Sequence, residues 1–239
     1  MKTLLVALLL AVAGGTQTFD SKALLTDALA REASSDPRDF RFQETRHDEG
    51  QQWISLYDPN GDPQWTLTAV DGLSPDQEQL KTAEQWRSPP DKKDKESSKS
   101  SLLGKMIDPD QAELVEVNEQ QAIYRFTPVG ESEDDQKLFR HLHGRLYIDL
   151  GDKFIVRVVM NNEESFKLMT GVRFDRFEME MEFAMHDDLI IGQSLVLPKL
   201  LRTDVKGRAF LVKSIDEQSQ IVFDQYQAPD AALSMISAD

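Results

Sequence analysis

The stretch Phe177-Glu-Met-Glu-Met-Glu-Phe183-Ala-Met185 alternates apolar and polar residues almost without fault. As a strand it puts Phe177, Met179, Met181, Phe183 and Met185 on one face and Glu178, Glu180 and Glu182 on the other. A helix would scatter both sets around its circumference. One dry face and one wet face describe an antiparallel sheet whose apolar side has to be covered. Two covers fit the residues. Helices can pack on the face, or an apolar ligand can lie against it, for which flexible, polarizable methionine thioethers are suited. Phe174, three residues before Phe177, breaks the phase and points to a bulge or bend near Asp175.

Period-two patterns recur along the chain. Phe40 to Glu44, Trp53 to Tyr57 and Trp65 to Val70 read as strands. The turn-rich Asp58-Pro-Asn-Gly-Asp-Pro63 joins the last two as a hairpin or short connection. Glu113 to Asn118, Gln121 to Thr127, Phe139 to Leu150 and Phe154 to Met160 follow, with breaks at Asn118-Glu119, Pro128 to Gln136 and Gly151-Asp152. Ser165 to Met169, Val172 to Met185, Ser194 to Leu197, Val205 to Ile215 and Gln220 to Gln227 complete the series. Matching dry faces are Leu146, Ile148 and Leu150; Phe154, Val156, Val158 and Met160; and Phe210 with Val212. Helices are few. Asp20 to Glu32 carries Leu24, Leu25, Ala28 and Leu29 at helical spacing, with Asp20 or Ser21 as N-cap. Pro75 to Trp86 carries a narrow stripe of Leu80, Ala83 and Trp86, and a short helical segment follows at Leu102 to Ile107. The expected class is α+β, mainly β: a curved antiparallel sheet whose concave face a few helices cover.

Met1-Lys2 and the apolar run Leu4 to Ala13, ending Ala11-Val12-Ala13 before Gly14 and Gly15, read as a signal peptide over residues 1–13. The run is shorter than the ~20 residues that span a bilayer; the other reading is a hydrophobic first helix. Residues 14–228 form one domain on this reading, interrupted at 88–101 by a Lys-, Ser- and Pro-rich insertion expected to be solvated and flexible, and 229–239 form a disordered tail. The chain has no cysteine, which excludes disulfides, thiolate metal sites, cysteine nucleophiles and a lipidated N-terminal cysteine. The expected location is the periplasm, with no membrane-spanning segment in the mature chain. A formal charge of −15 argues against nucleic acid, and against an anionic membrane surface, as partner.

No motif names a reaction, and no enzymatic role or cofactor is expected. His141 and His143 at i, i+2 could share a strand face, with Asp187 or Asp188 beside His186 as further ligands, but such spacing is common and no metal site is assigned. Asp58, Asn60 and Asp62 imitate a calcium loop, yet Pro63 stands in place of its glycine and Ala69 in place of its bidentate acid. Gly192-Gln-Ser194 lacks the second glycine of a nucleophile elbow.

Leu197-Pro198, Val205-Lys-Gly-Arg-Ala-Phe-Leu-Val-Lys213 and Ile221-Val-Phe-Asp-Gln-Tyr226 resemble the closing strands of the LolA-like lipoprotein-carrier superfamily. Tyr57-Asp-Pro, Trp65-Thr-Leu, Asp71-Gly72 and the proline-led helix are similar to its uncharacterised exported bacterial branch. The resemblance implies a half-barrel with helices in its mouth, and a role in outer-membrane lipoprotein sorting or in sensing envelope signals. The expected groove comprises Leu146, Ile148, Phe154, Val156, Phe177, Met179, Met181 and Phe183, taking a lipid, a lipoprotein acyl chain or another apolar ligand. The alternative is a non-catalytic envelope-sensing or interaction module with a filled core and a protein partner.

Overall fold

The computed structural model describes residues 19–87, 102–190, 192–210 and 213–228. The expected signal peptide, the insertion at 88–101 and the tail at 229–239 lie outside them.

Among the described residues, one open, curved antiparallel sheet runs in the order β3-β2-β1-β11-β10-β9-β7-β6-β5-β4, with β8 paired to β9. Its strands are β1 (Arg41–Asp48), β2 (Gln51–Tyr57), β3 (Trp65–Val70), β4 (Glu113–Val117), β5 (Gln121–Phe126), β6 (His143–Asp149), β7 (Ile155–Asn161), β8 (Phe166–Met169), β9 (Val172–Ile190), β10 (Gln193–Ala209) and β11 (Lys213–Gln227). The helices are α1 (Ser21–Ala33), α2 (Gln77–Arg87), α3 (Leu102–Met106) and α4 (Glu133–Phe139). The mainly-β α+β architecture read from the sequence is the one the chain adopts.

One register row ties the sheet together. Tyr124, Leu146, Val158, Met181, Leu201 and Ile221 sit side by side, and the row continues through Arg46 and Trp53 to Val70. Directly paired residues share a face, so this is the inner face. Leu24, Leu25, Ala28 and Leu29 of α1 close over half of it, together with Leu103 and Met106 of α3. At the start of α1 the N-cap Asp20 accepts from the Ala23 N–H at 2.9 Å, and the Tyr124 hydroxyl donates to the Ser21 carbonyl at 2.6 Å. At the other edge α2 lies over β1–β3, with Ala83 in a small core of Trp53, Leu67 and Val70. Trp86 of α2 meets Trp53 edge to face at 4.8 Å, and cations add to the contact: Arg46 sits 4.7 Å from the Trp86 ring, and Arg87 sits 4.2 Å from the Trp65 ring and 3.6 Å from Glu44.

Four readings of the sequence need correction. Phe139 to Leu150 is not one strand: a capping box between Ser132 and Asp135 starts α4, which ends at Phe139. Ser194 to Leu197 and the first half of Val205 to Ile215 belong to the single long β10, and a turn at Phe210 separates β10 from β11. Phe210 therefore does not face inward but is 72% exposed with φ +50, while Val212 lies outside the described residues. In β7 a bulge between the Tyr147–Arg157 and Ile148–Ile155 pairs leaves Val156 as the extra residue, so Ile155 takes the buried place and Val156 is half-buried. The phase break read at Phe174 is real: Lys206 pairs Arg176 and Gly207 pairs Phe174, which leaves Asp175 as the bulge residue.

Candidate functional site

The inner face divides into a filled part and an unfilled part. Leu146 and Ile148 are fully buried, and Phe154 joins them in a core closed by α1 and α3. Val156 packs at its margin. These four expected groove residues are walls of a closed core. Met179 is half-buried against the same core, and Phe177 lies half-buried further along β9. Met181 and Phe183 differ: they belong to the core and also line a cavity of about 340 Å³.

That cavity opens where the sheet loosens. Pro198 brings no N–H to a ladder. The β9–β10 register slips between Pro198 and Leu200, and β10 pairs with β11 only from Leu200–Val222 outward. The Tyr226 hydroxyl donates to the Pro198 carbonyl at 2.8 Å, and burial pushes that hydroxyl far above its ordinary pKa. Between the parted strands and the end of α1, Leu103, Met181, Phe183, Pro198, Leu200, Leu201 and Phe223 enclose the space, with Glu32, Asp36 and Arg38 among its lining. Leu103, Pro198, Leu200, Leu201 and Phe223 were not among the expected groove residues. Their signal was present in Leu197-Pro198, since a proline within a strand marks a place where pairing fails.

Ser35 sets the height of the α1 end over the sheet. Its hydroxyl oxygen accepts from the buried Val196 N–H at 3.0 Å. Arg31, in the last turn of α1, donates to the Asp152 carbonyl at 2.5 Å and reaches the Met185 sulfur at 3.2 Å. Asp36 takes the Arg38 guanidinium at 2.8 Å, so the charges beside the cavity are held by one another.

The outer face carries the glutamates of β9 as ion pairs. Glu180 meets Arg157 at 2.6 Å and Arg202 at 3.4 Å; Glu178 meets Arg176 at 2.8 Å; Glu182 meets Lys199 at 3.7 Å. The Arg and Lys ends of these pairs lie at the surface, where each pair contributes little stability, while Glu180, held by two arginines, is the most covered of the three glutamates. The histidines are dispersed. His141 lies in the turn before β6, not on a strand face with His143, and stacks on Phe166 at 4.4 Å; His186 meets the edge of Tyr226. Burial, with Arg140 alongside, lowers the His141 pKa. Among the described residues no group of three or more His, Asp or Glu is placed to hold a metal ion. Asp58 accepts from the Asn60 N–H at 3.0 Å and pairs with Arg41, which holds its carboxyl below the usual range; the calcium-like run is a turn.

No family model, curated protein or solved structure matches the chain. Among the described residues no helix is long and apolar enough to cross a membrane.

Proposed function

We propose that this protein is a periplasmic carrier, exported through its N-terminal signal segment, that holds one apolar chain of a lipid or lipoprotein in the cavity beneath the end of α1, in the manner of the LolA-like carriers it resembles. The observation behind this reading is an apolar cavity of about 340 Å³ kept open in a core that is otherwise closed. This volume lies within the range of about 300–1,000 Å³ of small-molecule sites. Each methylene buried there contributes about 0.8 kcal/mol, so about ten of them give roughly 8 kcal/mol, a micromolar Kd before the cost of association. No catalytic group is required of a carrier, and the site offers walls rather than reactive side chains.

Native mass spectrometry on protein purified without detergent, with organic extraction of the bound species, tests this. The expected result is an apolar molecule at one per chain, displaced by a fluorescent fatty acid. A clean ligand-free mass with no uptake of the fatty acid overturns the carrier reading and favours the interaction module with a protein partner.

A further inference from the structure

The charge of −15 is not spread evenly. Residues 165–176, 206–210 and 213–216, at the paired ends of the β8–β9 and β10–β11 hairpins, hold six Lys and Arg against two Asp; Arg176 is tied to Glu178 and Asp204 and Lys206 to Asp216, which leaves the excess on Lys167, Arg173, Arg208 and Lys213. No continuous stretch of sequence shows this as a basic patch, because four strands contribute to it. Register places Lys167 beside Arg173 and Arg173 beside Arg208, a row of three exposed cations on neighbouring strands. Like charges directly opposite destabilise a sheet. Asp175, at 3.1 Å from Arg173, relieves only part of this row, and Lys167, Arg208 and Lys213 have no ion pair among the described residues.

Apolar side chains stand at the same end. Phe210 is 72% and Met169 60% exposed, the first on the β10–β11 turn and the second beside the β8–β9 turn. The two turns are fastened to each other: the Phe210 N–H donates to the Gly171 carbonyl at 2.6 Å, and the Phe210 ring lies over Gly171, where an added Cβ would come within 2.8 Å of it. Gly171 has φ +83, a conformation glycine adopts freely. A bulky ring is thus presented to solvent on a braced support, at the same end of the sheet as the exposed cations Lys167, Arg173, Arg208 and Lys213. An interfacial aromatic combined with Lys and Arg is the pattern that binds anionic lipid surfaces.

We infer that this double hairpin tip docks on an anionic lipid bilayer, Phe210 and Met169 entering the headgroup boundary while Lys167, Arg173, Arg208 and Lys213 meet lipid phosphates. The net charge argues against such a surface for the chain as a whole, and the fold reverses that argument at one end. The inference stands independently of what fills the cavity.

The absence of native cysteine makes a single-site probe straightforward. Phe210→Cys carrying an environment-sensitive dye is mixed with vesicles of phosphatidylglycerol and phosphatidylethanolamine, or of phosphatidylcholine alone. A blue shift with the first and none with the second is expected, reversed by salt as screening predicts. In co-sedimentation of the unlabelled full chain, each of Lys167→Gln, Arg208→Gln and Lys213→Gln lowers partitioning about fivefold and the triple variant about a hundredfold, with melting no lower than wild type, because all three positions are exposed and Lys167 and Arg208 each face Arg173. Phe210→Ser costs roughly a further tenfold. No binding to the anionic vesicles at low salt, equal binding to phosphatidylcholine, or binding that the triple variant retains in full would each overturn the inference; in the last two cases the charges serve another partner, such as an acidic protein.

Discussion

Leu146 and Leu201 occupy the same register row with β7 and β9 between them, yet they should respond to substitution in opposite ways. Leu146 is fully buried, flanked in register by Tyr124 and Val158 and roofed by α1. Leu146→Ala removes atoms from a closed core that relaxes only partly, and the expected cost is about 2–5 kcal/mol. At about 2–4 °C per kcal/mol for a chain of this size, melting falls by roughly 5–15 °C. Leu201 is half-buried, between Met181 and Ile221, and borders the cavity of about 340 Å³. Leu201→Trp extends into that space without overpacking, so stability changes by about 1 kcal/mol or less, while the indole takes the ligand's place and raises the Kd for a fluorescent fatty acid at least about tenfold, or 1.4 kcal/mol. Calorimetry and probe titration on the two variants read both quantities. The reasoning fails if Leu201→Trp melts several degrees lower, which would make the cavity wall part of a tight core. It also fails if Leu146→Ala weakens probe binding while melting as wild type does, which would put the ligand in the part of the face that Leu146 fills rather than in the cavity beside Leu201.

Ser35→Ala leaves the buried Val196 N–H without its acceptor, an expected loss of about 1–3 kcal/mol in urea titration; a loss under about 0.3 kcal/mol would show that Ser35 does not hold α1 over the cavity. Tyr124 supplies a pH test: burial, with Asp20 adding to it, pushes its hydroxyl from 10.0 up to about 12. A folded-state pKa raised above the unfolded one means that the neutral hydroxyl stabilises fully below pH 10.0, and that this contribution is lost as pH rises to about 12. The Tyr124→Phe variant should show a shallower alkaline loss, by an amount on the order of 2 kcal/mol, and an identical slope in both proteins would refute the assignment.

Local chemistry was most legible where one face of an element is dry and the other wet. The β9 pattern, the Asp20 cap of α1, the hairpin at Asp58 to Pro63 and the bulge at Asp175 all follow from residue types and spacing. Around Val156 the sequence is apolar in both phases, Phe154-Ile155-Val156 followed by Val158-Val159, so nothing local reveals which set turns inward; a bulge decides it. The β10–β11 turn escapes for the opposite reason. Ala209-Phe210 carries no Gly, Pro, Asn or Asp, and a strongly β-prone residue sits at φ +50 in the turn. The helix α4 was readable, since Ser132-Glu-Asp-Asp135 is a capping signature, but its acidic run resembles a loop. The cationic tip was not readable at all, because its charges become neighbours only through strand pairing.

The same register explains why the methionines matter although most of their strand is not in the cavity. Moving outward from the row of Met181, Leu201 and Ile221, the next inner-face row is Met179, Thr203 and Ser219, and the one beyond it Phe177, Val205 and Glu217. β11 turns polar along this path, with Ser219 and Glu217, and β10 alternates Thr203 with Val205, while β9 stays apolar throughout, with Met179 and Phe177 half-buried. An apolar strip one strand wide thus runs from the cavity toward the hairpin tip, where Leu201 and Arg208 are seven residues apart on β10, roughly 23 Å. Met179 still packs on the core, but a closed core would gain little from half-buried Phe177 beyond it. A carrier that takes its cargo at a lipid surface would gain more: the tip fixes the distance to the bilayer, and the β9 strip offers the chain continuous apolar contact between the headgroups and the cavity. The two proposals therefore reinforce each other through one strand, though each is tested separately.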